Sequence, residues 1–286
     1  MITLAKNKIK MESMKYLEAV LKILAVIITL MLVSCEEQID LPVGDKKSSF
    51  LVVDGMITSD TIAHRVVLSL SGEFYMDGLT PRATGATVSI HDSRGNIYPL
   101  TEGQPGLYLT ADSVYGEIGV TYTLHVDYEG NSYQASSTMQ RVPEIDSLSY
   151  RYDPYKESYR VLLWGQEPKG KGDNYMWHLY KNGQLVTDQI HKVIVLNDAF
   201  IDGQYIKGFE VDWWTNDFNF QPGDEITVAQ YSICQTSFEF LIGIMEEHTD
   251  GQMGNRPPAN IPSNVSNNAL GLFYAAAVTY KTVIIQ

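Results

Sequence analysis

Six histidines and a surplus of carboxylates are the residues from which chemistry would have to be built in this chain. The histidines stand at 64, 91, 125, 178, 191 and 248, with no HExxH and no CxxC. Zinc wants nitrogen and sulfur ligands converging on one point, and this scatter supplies no local cluster. His178 and His191 flank a predicted hairpin and could face each other across it, although ordinary strand positions have the same spacing. Calcium wants several oxygens within a short loop. "NDAFIDG" offers Asn197, Asp198 and Asp202, and "DWWTNDFNFQPGD" offers Asp212, Asn216, Asp217, Asn219 and Asp224. Neither has the regular spacing and closing Glu of an EF-hand, so both are expected to be polar loops, with no metal and no cofactor. Glycoside hydrolysis needs two carboxylates about 5 Å or about 6.5–9.5 Å apart. With 34 acids some pair always qualifies, so that signal is empty. No G-x-S-x-G, Walker or dinucleotide glycine pattern is present. A non-catalytic protein is the expectation, with a hydrolase as a weaker alternative. An enzyme would gather carboxylates or histidines with strongly shifted pKa values in one cleft. A docking protein would instead expose an apolar patch.

The most specific chemistry lies in "ILAVIITLMLVSCEEQID", residues 23–40. Lysines precede a short hydrophobic run at 23–33, the layout of an export signal. Eleven residues rise only about 16 Å as a helix. That is short of a bilayer core of roughly 30 Å, so a transmembrane span is the poorer reading. "LVSC" (Leu32, Val33, Ser34, Cys35) resembles a bacterial lipobox. Its thiol would carry a diacylglyceryl thioether, and the small residue before it would let a peptidase cut there. Cys35 is therefore the expected lipid attachment residue at the new N-terminus, after a signal peptide of residues 1–34. Several acyl chains, at about 0.8 kcal/mol per buried methylene, anchor stably where one does not. The other cysteine, Cys234 in "QYSICQTSF", reads as a small buried hydrophobe.

Charge excludes one class of partner. Of 21 Lys and Arg, five precede Cys35; of 34 acids, two do. The remainder carries 16 basic against 32 acidic residues, a formal net of −16. Such a surface repels phosphates, so no nucleic acid is expected to bind.

The elements that must position these residues are mostly strands. Hydrophobic residues make up 44% of the chain and aromatics 11%, enough for a packed core. A tether is expected at 35–49. From Phe50 the pattern becomes β: "HRVVLSL" places His64, Val66, Leu68 and Leu70 on one face. "GVTYTLHVDY" places Val120, Tyr122, Leu124, Val126 and Tyr128 on one face and Thr121, Thr123, His125 and Asp127 on the other. Short strands and turns over 50–142 predict an immunoglobulin-like β-sandwich. A second β-rich domain is expected at 143–286, beginning near "RVPEIDSL". In it, "NYMWHLYKNGQLV" predicts a hairpin, with Asn182–Gly183 supplying the positive φ angles of the turn. Phe238, Leu241, Ile242 and Met245 fall at i, i+3, i+4 and i+7 and predict one amphipathic helix near 236–249.

One stretch could form a binding surface. In "FEVDWWTNDFNF" adjacent tryptophans on a strand point to opposite faces, so Trp213 and Trp214 cannot both enter a one-sided core. Asp212, Trp213, Trp214 and Asn216 are the candidate ligand or partner surface, although burial of both rings between a sheet and a helix competes with that reading.

The order of the marks carries a resemblance. The lipobox, "LVVDGMIT", "GATVSIHDSRG", "GLYLT", "GVTYTLHV", "VPEIDSL", "GDEITV" and "PPANIPSNVSNNALGLFYA" follow one another through the chain. Together they resemble the Bacteroidota family catalogued as domain of unknown function 4249. The acids of "EEQID" resemble the signal that sends lipoproteins of that phylum to the outer face of the outer membrane. The N-terminal half also resembles the immunoglobulin-like or prealbumin-like domains attached to carboxypeptidases and TonB-dependent receptors. The resemblance implies a surface lipoprotein, held to the membrane by its lipid and encoded beside a TonB-dependent nutrient transporter. A non-catalytic docking or binding role follows from it. The alternative is a stand-alone protein that takes a glycan or peptide ligand. The resemblance supplies no catalytic residues, and only Cys35 carries a role residue by residue.

Overall fold

Alternating apolar positions, broken by turns rich in Gly and Asn, give fifteen strands, one α-helix and a short 3-10 turn at Ile190–Lys192 in the described residues. The computed structural model describes residues 49–71, 80–212, 218–250 and 261–286. The expected signal peptide at 1–34 and all but the last residue of the expected tether at 35–49 lie outside them, as does Cys35. Among the described residues no helix is long and apolar enough to cross a membrane.

The N-terminal half holds β1 (Leu51–Thr58), β2 (Arg65–Leu70), β3 (Thr87–Asp92), β4 (Ile97–Gln104), β5 (Leu107–Leu109), β6 (Thr121–Tyr128) and β7 (Asn131–Thr138). It is a β-sandwich whose two layers share β4. Residues Ile97–Leu100 pair with β3, while Thr101–Gln104 pair with β5 across a bulge between Glu102 and Gln104. A bulge bends a strand and lets it turn from one layer into the other. The alternation in β6 is realised: Val120, Tyr122, Leu124 and Val126 are buried in one core with Val66, Leu68 and Tyr108, and with Ile90 of the neighbouring strand β3.

The C-terminal half holds β8 (Ser147–Asp153), β9 (Ser158–Gln166), β10 (Asn174–Lys181), β11 (Gln184–Leu185), β12 (Ile194–Asn197), β13 (Tyr205–Glu210), β14 (Glu225–Ile233), α1 (Gln235–Asp250) and β15 (Leu270–Ile284). The hairpin of β10 and β11 turns at Asn182 and Gly183, with φ of 51° and 78°. Strands β13, β9 and β8 form a separate small sheet. It packs on one face of β10 and β14 through Val161, Leu163, Trp177, Leu179 and Val228. The helix covers the other face, where Met176, Ala229, Tyr231 and Leu241 meet. Burial on both faces explains why "NYMWHL" is apolar without clean alternation.

Strand β15 joins the halves. Its residues Leu270–Ala276 run parallel to Val52–Thr58 of β1, and Ala277–Ile284 run antiparallel to Ser232–Glu225 of β14. The core of the N-terminal sandwich therefore includes Phe273, Ala275 and Ala277 from the far end of the chain. The expected division at 142/143 is crossed by this strand.

Candidate functional site

The site grows from the segment between β9 and β10 and the loop between β12 and β13. Between β9 and β10 the chain reads "EPKGKGD", and Glu167 is carried inward by the last residues of β9. Its backbone N–H donates to the Gln204 carbonyl at 2.9 Å, which ties the start of β13 to the end of β9. Its side chain is 1% exposed, and its Oε1 accepts the Tyr175 hydroxyl at 2.8 Å. A carboxylate removed from water with one neutral hydrogen bond favours its protonated form. Burial, with help from the nearby charges of Asp173 and Asp198, pushes Glu167 up to about 7 against the pull of the Tyr175 hydroxyl.

Behind Glu167 lie two more acids. The side-chain oxygens of Glu167, Asp173 and Asp198 stand within 4.8 Å of one another. Asp198 accepts the Gly172 N–H on both oxygens at 3.0 Å. Asp173 is held by Arg141, whose Nη2 lies 2.6 Å from Oδ2. The same Nη2 donates to the carbonyls of Lys169 and Gly170. Three hard oxygens are a set that calcium or magnesium accepts, but Arg141 already fills one flank as counter-charge.

In front of Glu167 opens a cavity of about 600 Å³. Its walls come from β9 (Leu163, Gly165), β10 (Tyr175, Trp177), β12 (Val195, Leu196), β13 (Ile206, Phe209), β14 (Gln230) and α1 (Phe238, Ile242). Phe200, 91% exposed, and Tyr205 stand at the rim. Tyr175, Trp177 and Phe209 form a ladder of rings with centroids 5.7 and 5.6 Å apart. A largely apolar cavity of this size with a few polar groups is the usual build of a ligand site.

The residues singled out in the sequence fare differently. Asp212 is not on a surface. It is 0% exposed, and Arg160, itself 2% exposed, donates from Nη1 to its backbone carbonyl and to Oδ2 at 2.9 and 3.0 Å. Burial pushes the Asp212 carboxyl up to about 6 in spite of that pairing. The aspartate expected to face a ligand anchors the end of β13 inside the fold. Trp213, Trp214 and Asn216 lie outside the described residues, as does Asp217. In the other loop weighed for calcium and expected to be merely polar, Asp198 joins Glu167 and Asp173, while Asp202 accepts the Gly170 N–H at 2.7 Å. His178 is engaged with the Thr187 hydroxyl at 2.8 Å and stands edge-on to Tyr231. Cys234 is partly exposed rather than buried, with its sulfur near the hydroxyls of Ser237 and Ser137. Glu167 and the cavity were missed in the sequence. The signal available was a single acid between the apolar strand "YRVLLWG" and a glycine-lysine turn, which by itself reads as a loop.

The comparisons with known proteins complete the description of the site. The family described as Domain of unknown function (DUF4249) matches residues 36–282, nearly the whole of the chain beyond Cys35. The chain belongs to that family. No curated protein matches it. Among solved structures, a two-domain fibronectin type-III segment from chicken tenascin is 12% identical, covering 64% of this chain and 90% of its own, with a TM-score of 0.21. That score carries no argument, and the sandwich rests on the strand pairings above. The family description assigns no site residues, so the chemistry is read from the geometry.

Proposed function

We propose that this DUF4249 protein is a non-catalytic binding lipoprotein on the outer membrane surface, tethered through Cys35 and working beside a TonB-dependent nutrient transporter. The observation that carries the binding role is the cavity of about 600 Å³ walled by β9, β10, β12, β13, β14 and α1. The tether is supported by the "LVSC" motif after a short hydrophobic run, and the transporter by the family resemblance. A docking role also finds exposed apolar side chains on the N-terminal half. Ile97 and Tyr115 are 60% and 51% exposed and share the wall of a second concavity of about 530 Å³. Such residues fit a protein–protein contact.

One observation favours a second reading, a hydrolase. Glu167 is an acid poised near neutrality in a cleft, with two other acids close by. Asp173 and Asp198 are held by Arg141 and by the Gly172 N–H and do not line the cavity, and the other lining carboxylate, Glu144, is exposed and accepts the Thr279 hydroxyl, so Glu167 is the one buried acid in the lining rather than half of a matched carboxylate pair. Binding is the better reading.

The test is fractionation and capture. With a tag after Gln286, wild-type protein is expected in the outer membrane, and Cys35→Ser is expected in the soluble or inner-membrane fraction. Purification in mild detergent is expected to bring down a TonB-dependent transporter in stoichiometric amount, identified by mass spectrometry. Unchanged outer-membrane anchoring of Cys35→Ser would remove the lipid tether. Recovery of the protein alone would remove the transporter.

A further inference from the structure

The cavity has a definite sense of hydrogen bonding. Its side-chain donors are largely spent on the protein itself. Gln166 Nε2 donates to the carbonyls of Glu167 and Gly203, Gln204 Nε2 to Phe200, and Gln230 Nε2 to Pro143. Trp177 Nε1 donates to Gln230 Oε1, and the Tyr175 hydroxyl to Glu167. Lys207 alone among the lining residues brings a cation, and it stands exposed at the rim. What the lining offers is acceptor capacity: the buried Glu167 carboxylate and, exposed and accepting the Thr279 hydroxyl, the Glu144 carboxylate, a second acid that also favours a cation.

The charge around the Glu167 carboxylate points the same way. Three acids share a space in which their oxygens lie within 4.8 Å, and the guanidinium bonded into it, Arg141, is committed to Asp173. When Glu167 ionises, the cluster gains a negative charge that Arg141 does not balance. A carboxylate in a low-dielectric wall is stabilised most by a cation brought to it, and least by water it cannot reach. The ring ladder of Tyr175, Trp177 and Phe209 adds faces that attract a cation or stack on an aromatic body.

We propose that the cavity takes an organic cation, a ligand with an apolar, ring-bearing body and one ammonium group set against Glu167. The body fills the space between Leu163, Trp177, Phe209 and Ile242, and the ammonium donates to the carboxylate at the inner end. This rests on the reading of the cavity as a ligand site and specifies what that site selects. Because the cation prefers ionised Glu167, and burial holds that group up to about 7, affinity rises with pH through neutrality. Below that value each pH unit weakens binding about tenfold, until the neutral-carboxyl form takes over.

Three indole probes of nearly equal shape separate the possibilities: tryptamine, with an ammonium; tryptophol, with a hydroxyl; and indole-3-propionate, with a carboxylate. Each is titrated calorimetrically into the full chain in mild detergent, with detergent-only controls, at pH 5.5 and pH 8. Tryptamine is expected to bind with one site and at least tenfold more tightly than tryptophol at pH 8. The advantage should collapse at pH 5.5, and indole-3-propionate should bind most weakly. In Glu167→Gln the advantage should vanish at both pH values. That variant retains an oxygen for the Tyr175 hydroxyl, and the wild-type pH dependence reads the same charge without any substitution. Equal binding of tryptamine and tryptophol at pH 8 would overturn the cation assignment while leaving the cavity a ligand site. No binding by any of the three would overturn both. Calcium chloride is the fourth titrant. Saturable calcium binding lost in Glu167→Gln and indifferent to tryptamine would give the acids to an inorganic ion and overturn the proposal.

Discussion

Buried titratable side chains in this fold differ in the sign of what they do to stability. His178 lies in β10 with its ring between Thr187 and Tyr231. The Leu179 N–H donates to the same Thr187 oxygen at 3.1 Å, so the ring is fixed beside a hydroxyl that is itself tied to the β10 backbone. Desolvation pulls its pKa down to about 4. Above pH 6.5 the imidazole is neutral whether the chain is folded or not, and its contribution is fully present. Between pH 6.5 and 4 the unfolded chain takes up a proton that the folded chain refuses, so stability falls as pH falls. His64, also buried and lowered, acts in the same direction. Asp212 and Glu167, raised to about 6 and about 7, act oppositely and lose stability as pH rises through those values. The total curve therefore mixes signs, and a difference measurement isolates His178. The unfolding free energy in urea, wild type minus His178→Gln, is expected to shrink by about 1 kcal/mol per pH unit from 6.5 toward 4.5. A difference independent of pH would show that His178 does not titrate in that window.

At the scale of elements, the parallel pairing of β1 with β15 depends on one residue without a side chain. Gly271 has φ of +97°, and a Cβ there would lie 1.9 Å from the Val53 carbonyl oxygen. Gly183 in the β10–β11 turn also has positive φ, +78°, but a Cβ there meets nothing within 4 Å. The two sites separate backbone strain from collision. Gly183→Ala is expected to cost about 1 kcal/mol, the strain alone. Gly271→Ala should cost several times as much, because the strands must part to admit the methyl group. Paired denaturant titrations check this, and equal losses at the two sites would refute it. These strands also show which features a sequence reveals. The Asn182–Gly183 turn, the alternating face of β6 and the helix, expected near 236–249 and found at Gln235–Asp250, rest on neighbours within a few residues, and all were legible. The parallel ladder brings Val53 to Gly271, and nothing local marks either as a partner of the other. Asp212 read as surface because Arg160, 52 residues earlier, is what draws it inward. The cavity takes its walls from five strands and the helix, so no window of sequence contains it.

For the molecule as a whole, β15 sets the size of the folding unit. The sequence divides most naturally at "RVPEIDSL", and a sandwich of residues 50–142 would then stand alone. In the structure that sandwich takes Phe273, Ala275 and Ala277 into its core, and β1 makes seven register pairs with β15. Residues 263–278 also bond the sandwich directly: the Ser266 hydroxyl accepts the Gln134 N–H, and the Ala275 N–H donates to the Ser137 hydroxyl. Losing a buried Phe costs about 3–5 kcal/mol in an intact core. Removing the strand adds the unpaired backbone of β1 and an exposed apolar edge. That sum is comparable with the roughly 5–15 kcal/mol by which a domain is stable at all. A fragment spanning 50–142 is therefore expected to lack a cooperative thermal transition and a near-ultraviolet circular dichroism signal. Adding a peptide of residues 263–278 in trans should restore both. The two halves of the intact chain, stitched by one continuous strand, should then unfold in a single transition that coincides for near- and far-ultraviolet probes. A sharp melt of 50–142 alone would show that the sandwich is self-sufficient. Two separated transitions in the intact chain would show that β15 fails to transmit stability from one half to the other.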